Sequence, residues 1–385
     1  LPPEKVFISA THTHWGPVLA RTEYLAEQLN RAVSEEYTAT LIMDLATAVV
    51  EAWNAREPAL ALAGTGWADG VKFNRRPVGP DGKVVMSLAM ELEQARVASA
   101  EGARLAQTWV KGRGRGERLS APLPILGGNR AGVSDPSLPL LKLVSPEGAP
   151  IAALMVFGCH AVTGADRDTT FYHYAPDWPG YAREVIEEMV GCPAAVMAGC
   201  CGDQVPLQRA GDWRQRVGHS IGAEALRLWH ALTGESIGPL RLGRATATVP
   251  VRPLPTVEEA RAALAAKEDP NGTGAVFERE MLDLALKYGG KQSVDYEIWA
   301  MGLGDQFGLV GLPGEILEEI GLQIRQQSPF AHTAVVELAL DSPGYMCTDA
   351  AMDEGGYEPT WSFPGKGTEA ALVQAGVAAL QAACA

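Results

Sequence analysis

Apolar positions along the chain fall into runs of two kinds, and the switches between them mark out the elements. Val6 to Ala10 reads as a short buried strand that delivers Thr11-His12-Thr13-His14. From Glu23 to Arg56, Leu25, Leu29, Val33, Leu41, Leu45, Val49 and Trp53 recur near helical spacing, which predicts a long amphipathic helix. Pro58 ends it, and Ala59 to Trp67 reads as a strand. Asn74 to Pro77 opens a loop, and Gly79-Pro80-Asp81-Gly82 is a turn signal. Leu138 to Val144 and Ile151 to Cys159 read as a hairpin around Pro146-Glu147-Gly148. Helices are predicted over 177–190 and 213–232, with a strand over 194–198 between them. Arg241 to Pro250 is strand-like, and 256–288 is largely helical and charged. Strands follow near 295–303, 307–312 and 333–340, with a helix over 315–327 between the last two. No internal repeat is visible. Helices interleaved with strands predict an α/β protein with helices flanking its sheets.

Residues 89–130 stand apart in composition. A helix is predicted over Leu92 to Val110, followed by the basic, glycine-rich Lys111 to Gly116 and then by Pro122 and Pro124. Such a segment is either a solvated insertion or a lid over a site. The 385 residues allow one large domain or two smaller ones. Lys and Arg number 32 against 46 Asp and Glu, a net charge of −14 that would repel a nucleic-acid backbone. No apolar run approaches the ~18 residues of a membrane span. Leu1 is not an initiator Met and no leader-like segment precedes the first motif. The compartment is left open, a secreted or periplasmic protein with a removed leader included. Six cysteines without CxxC spacing read as buried thiols rather than a disulfide framework.

His12 and His14 are the sharpest chemical signal. On an extended segment residues i and i+2 face the same way, so both imidazoles reach one point; the spacing alone is a weak signal, compatible with a metal site or with two ordinary polar residues at a strand end. His160 closes an apolar strand, which suits the rim of an α/β site or a hydrogen-bonded core histidine equally well. Asp177 is either a carboxylate orienting such a histidine or a helix N-cap. Glu315 stands where a strand turns into a helix, a place that favours an ionised carboxylate and suits a plain first-turn glutamate or a metal ligand. Cys200 and Cys201 lie in a glycine-flanked turn, where a thiol with a lowered pKa is a nucleophile and a packed one is inert. Walker, GxSxG, HExxH and dinucleotide-binding patterns are absent.

Ile8-Ser9-Ala10-Thr11-His12-Thr13-His14-Trp15-Gly16-Pro17 resembles the ISATHTHSGP signature of the neutral/alkaline ceramidase family. Further blocks follow in the family's order: Phe73 to Pro77, the His160 strand, Asp177 to Tyr181, Gly202-Asp203 with Pro206, Leu312 to Glu315, Tyr345, and Gly355 to Glu358. The family hydrolyses the amide of ceramides at one zinc. The resemblance implies a single catalytic domain over 1–385 and a Zn2+ held by His12, His160, Glu315 and Tyr345. It places His14 beside the metal as an acid/base or oxyanion-stabilising group, and Arg75 on the substrate.

Four departures shape the expectation. Val205 occupies the position of the family's nucleophilic serine, so attack by metal-activated water is expected in its place. Trp15 replaces a small serine and narrows the approach. The family's C-terminal immunoglobulin-like domain is not matched. Its early N-terminal strands are not matched either, which leaves a homo-oligomer or a partner chain to cover a sheet edge. The leading reading is a zinc-dependent hydrolase of a small-molecule or lipid-like amide or ester. A cysteine-nucleophile amidase using Cys200 or Cys201, and a zinc-containing binding protein without turnover, stand as alternatives.

Overall fold

The computed structural model describes residues 5–20, 33–85, 90–110, 124–125, 128–164 and 173–384. Two four-stranded sheets carry the architecture. In the first, Leu60–Trp67, Ser137–Val144 and Pro150–Phe157 pair antiparallel, and Ala194–Ala198 lies parallel beside Pro150–Phe157. In the second, Leu240–Pro250, Ser293–Leu303 and Phe307–Gly311 pair antiparallel, and His332–Val336 lies parallel beside Phe307–Gly311. A parallel neighbour needs a crossover; the helices Asp177–Val190 and Glu318–Gln327 supply it. The same plan therefore occurs twice, although the sequence shows no repeat.

Side-chain alternation explains the layering. Ala153, Met155 and Phe157 face a core shared with Trp178, Ile186 and Ile221 of the flanking helices. Leu154 and Val156, one residue out of phase, face Phe307, Leu309 and Val336 of the other sheet. Both faces are buried, so the strand reads as a nearly continuous apolar run. Helix Thr368–Cys384 covers the second sheet's outer face. It sits close, because a Cβ on Gly243 would fall 2.0 Å from the Ala379 carbonyl oxygen.

Several predicted elements change. Val6 to Ala10 forms a single bridge, Ser9 with Ala339, and Ile8 stays exposed. The segment is fastened by Phe7, which packs into the inter-sheet core. The long helix begins at Glu35, capped by Ser34 Oγ accepting from the Tyr37 N–H at 3.1 Å; 21–32 lie outside the described residues. Its apolar stripe is not buried, since no described element covers it. The 256–288 stretch divides into Val257–Ala265 and Val276–Tyr288, separated by Pro270-Asn271-Gly272. The last strand stops at Val336, and Leu338 and Leu340 take positive φ. Helix Leu92–Val110 forms as predicted and buries Ala95 and Ala98 against Phe73 and Val205. The basic glycine-rich stretch after it lies outside the described residues. Among the described residues no helix is long and apolar enough to cross a membrane.

Candidate metal centre

Strands Pro150–Phe157 and Phe307–Gly311 both end toward one region, where the two sheets touch through the Gly199–Val336 bridge. The chain after the first supplies His160, and the chain after the second supplies Glu315. The N-terminal segment lies across this junction. Ala10 donates its N–H to the Leu338 carbonyl at 3.3 Å, His14 to Ala161 at 3.2 Å, and the Thr13 hydroxyl to Ala175 at 2.8 Å. His12 takes φ +60, so the extended i, i+2 geometry is replaced by a left-handed residue and a turn. The two rings meet all the same, with Nε2 atoms 3.4 Å apart. A non-glycine residue held at positive φ is strain that surrounding contacts must support.

His12, His14 and His160 present ring nitrogens that all lie within 4.8 Å of one another. Glu315 Oε2 stands 3.3 Å from His12 Nε2 and 3.2 Å from His160 Nε2. Both His160 Nε2 and Glu315 Oε2 are shut off from solvent and meet no hydrogen-bonding group outside the cluster. Ligand atoms ~2.0–2.2 Å from one tetrahedral ion stand ~3.3–3.6 Å apart. The donor set and its spacing thus fit a metal ion.

For His160 and His14, protonation agrees with that fit. His160 Nδ1 faces two carbonyl oxygens, Cys201 at 2.5 Å and Gln204 at 3.1 Å, so this nitrogen carries the proton. Nε2 is left with its lone pair toward Glu315. Burial, with Arg75 and His12 nearby, pushes His160 down to about 3, leaving it neutral. Desolvation and His12 push His14 down to about 4. Burial also pulls on His12, but Glu315 more than offsets it and raises its pKa. Burial opposes ionisation of Glu315, yet His12 and His160 hold its carboxyl well below the usual range.

Glu315 is not in a helix. Glu315–Ile316 forms a two-residue parallel ladder with Tyr345–Met346, which makes Glu315 and Tyr345 register partners. The Tyr345 hydroxyl accepts from Arg75 Nη2 at 3.1 Å. Arg75 also donates to the Gly202 carbonyl at 2.8 Å and, through Nε, to Glu358 at 2.7 Å. Glu358, fully buried, is shared with Arg76 Nη1. Sequence reasoning singled out neither Arg76 nor Glu358 as a buried pair. Lys72, also buried, donates to the Gly158 carbonyl at 2.5 Å and to Glu318 at 2.7 Å, tying down the turn before His160.

Neither predicted role of Asp177 occurs. Its carboxylate accepts from Trp15 Nε1 at 3.1 Å, from the Thr163 hydroxyl and from the Trp178 N–H at 2.5 Å, while His160 is oriented by carbonyls. Asp177 thereby pins the Trp15 indole over Gly164, where a Cβ would fall 1.4 Å from the ring.

The two candidate thiols are poorly placed for attack. Both are buried, and burial together with Glu337 pushes both far above the ordinary thiol range. Cys201 Sγ donates to Glu337 Oε1 at 2.8 Å. Val205 is wholly buried opposite Phe73 and offers no nucleophile. Iodoacetamide is therefore expected to leave turnover unchanged; inactivation that tracks alkylation of Cys200 or Cys201 would restore the cysteine route.

Fold and cluster together define a mixed α/β protein with a site fitted to a metal ion where the loops of two sheets meet. Two solved structures share this fold. The neutral ceramidase from Pseudomonas aeruginosa is 21% identical with a TM-score of 0.63, over 97% of this chain and 60% of that one. A ceramidase complexed with C2 is 18% identical with a TM-score of 0.62, over 97% and 61%. The chain thus spans about three fifths of the length of these solved proteins. At such identity the likeness is one of fold. No family model and no curated protein matches the chain.

Proposed function

We propose that the chain is a zinc-dependent hydrolase cleaving an amide, or an ester, of a small or lipid-like molecule, with water as the attacking group. The observation that carries this reading is the buried pair His160 Nε2 and Glu315 Oε2, which meet no polar group outside the cluster and stand at the spacing of two ligands on one ion. Two imidazoles with a carboxylate are a donor set suited to zinc. The two solved ceramidases that share the fold suggest the substrate class.

In this reading His12, His160 and Glu315 hold the metal, and Tyr345, paired with Glu315 across the short ladder, is the fourth ligand. Bound zinc supplies Lewis acidity toward a carbonyl oxygen and lowers the pKa of water. His14, the member of the cluster nearest to solvent and neutral at pH 7, takes the proton from the attacking water and returns it to the departing nitrogen or oxygen as the carbonyl–heteroatom bond breaks. The products are a carboxylate and an amine or alcohol. Arg75, braced by Glu358 and the Gly202 carbonyl, holds a polar group of the substrate beside Tyr345. Trp15 forms a fixed wall next to His14 and limits what enters.

The test is turnover on a panel of N-acyl amides and esters before chelation, after it, and after return of one equivalent of zinc. Loss and recovery of activity is the expected result. Undiminished turnover by the stripped protein would contradict the proposal, and stoichiometric zinc without turnover would make the chain a binding protein.

A further inference from the structure

Glu337 lies in none of the motif blocks that point to the site. It is wholly buried, one residue beyond the last strand of the second sheet, and its own N–H donates to the Ala198 carbonyl at 3.0 Å. Its carboxylate faces three donors. Oε2 accepts the Cys201 N–H at 2.8 Å and the Ile316 N–H at 2.9 Å, and Oε1 accepts the Cys201 thiol at 2.8 Å. Cys201 belongs to the loop after strand Ala194–Ala198 of the first sheet, and Ile316 to the short ladder that follows strand Phe307–Gly311 of the second.

Each of these backbone groups is one step from the cluster. The Cys201 carbonyl accepts from His160 Nδ1 and so sets the direction of the opposite ring nitrogen. Ile316 directly follows Glu315. A second bond, from the Gly202 N–H to the Ile316 carbonyl at 2.9 Å, runs beside the carboxylate and ties the same two loops. One side chain therefore spans both halves of the site from behind. Burying a carboxylate is costly unless its lone pairs are matched, and here the matching donors are the amides that locate His160 and Glu315.

We propose that Glu337 is a positioning residue that sets the separation of His160 Nε2 and Glu315 Oε2. The inference rests on the reading of the cluster as a metal site. What the position requires is reach: one acceptor oxygen must meet two amides on different loops. Glu337→Gln keeps that oxygen at the same length. Glu337→Asp keeps the carboxylate but withdraws it by a methylene.

The test is zinc affinity, read by competition with a chromophoric chelator, in the full chain and in the Gln, Asp and Ala variants. The melting temperature of each zinc-free protein is measured alongside. Glu337→Asp and Glu337→Ala are expected to lose ~10–100-fold in affinity, the usual cost of removing an outer partner of a ligand. Glu337→Gln is expected to stay close to the parent. An Asp or Ala variant with parental affinity overturns the proposal, even if it melts earlier, because the residue is then only structural. Parental affinity in Asp with a loss in Gln also overturns it, since charge and not reach would then matter. If Ala fails to fold, the Gln–Asp comparison decides. Failure of the parent itself to bind zinc falls on the metal reading and not on Glu337.

Discussion

Replacing His160 by alanine is expected to abolish stoichiometric zinc binding and with it hydrolysis. The loss should exceed the ~10–100-fold that removal of an outer partner costs, because in the proposed site His160 offers the metal a lone pair directly. His160 is buried, its Nδ1 is committed to two carbonyl oxygens, and its Nε2 faces only Glu315 Oε2 at 3.2 Å. The fold should bear the change with a penalty of ~1–3 kcal/mol, the cost of leaving a buried acceptor unmet. The Gln204 carbonyl retains the His160 backbone N–H at 3.0 Å, so the Cys201 carbonyl is the group left short. Zinc titration of the variant beside its urea midpoint checks both halves. Full zinc occupancy in His160→Ala would remove this residue from the ligand set.

Glu358→Ala is expected to give the largest loss of stability. Its carboxylate is fully buried between Arg75 Nε and Arg76 Nη1, and neither guanidinium is exposed to water. Removing one partner of a buried charge group typically costs ~3–5 kcal/mol, because the remaining charge stays desolvated. Arg76 also donates to the Gly355 carbonyl at 2.9 Å, so the loop from Gly355 to Glu358 should loosen. Arg75, released on one side, would no longer hold the Tyr345 hydroxyl. The urea midpoint should therefore fall steeply in Glu358→Ala and less in Glu358→Gln, which keeps an acceptor. An unchanged midpoint in the alanine variant would mean that the two arginines find other partners at no cost.

Local patterns were legible where one rule dominated. The apolar run from Ile151 and its turn at Pro146-Glu147-Gly148 yield the hairpin, and the helices over 177–190 and 318–327 fall close to their predicted bounds. The pairing of two sheets face to face was not legible, because strands buried on both sides carry no polar face to mark orientation. The twofold plan of strands was hidden for the same reason: burial constrains volume, and different apolar side chains satisfy it. His12, His14, His160 and Glu315 do converge, although spacing alone could not assemble them across more than three hundred positions. The mechanism inferred for His12 and His14 was wrong in detail, since a left-handed His12 and a turn replace the extended strand. Glu337 was missed, yet its signal was present. A single acid inside Ala334-Val335-Val336-Glu337-Leu338-Ala339-Leu340 is a charge placed where burial must be matched by donors.

The claim that these side chains meet on one ion is tested most directly by anomalous scattering at the zinc edge from crystals of the zinc-loaded protein. One peak is expected per chain, bounded by His12 Nε2, His160 Nε2 and Glu315 Oε2, with the Tyr345 hydroxyl and His14 showing which of them completes the site. A peak elsewhere on the chain, or none between His160 and Glu315, would contradict it.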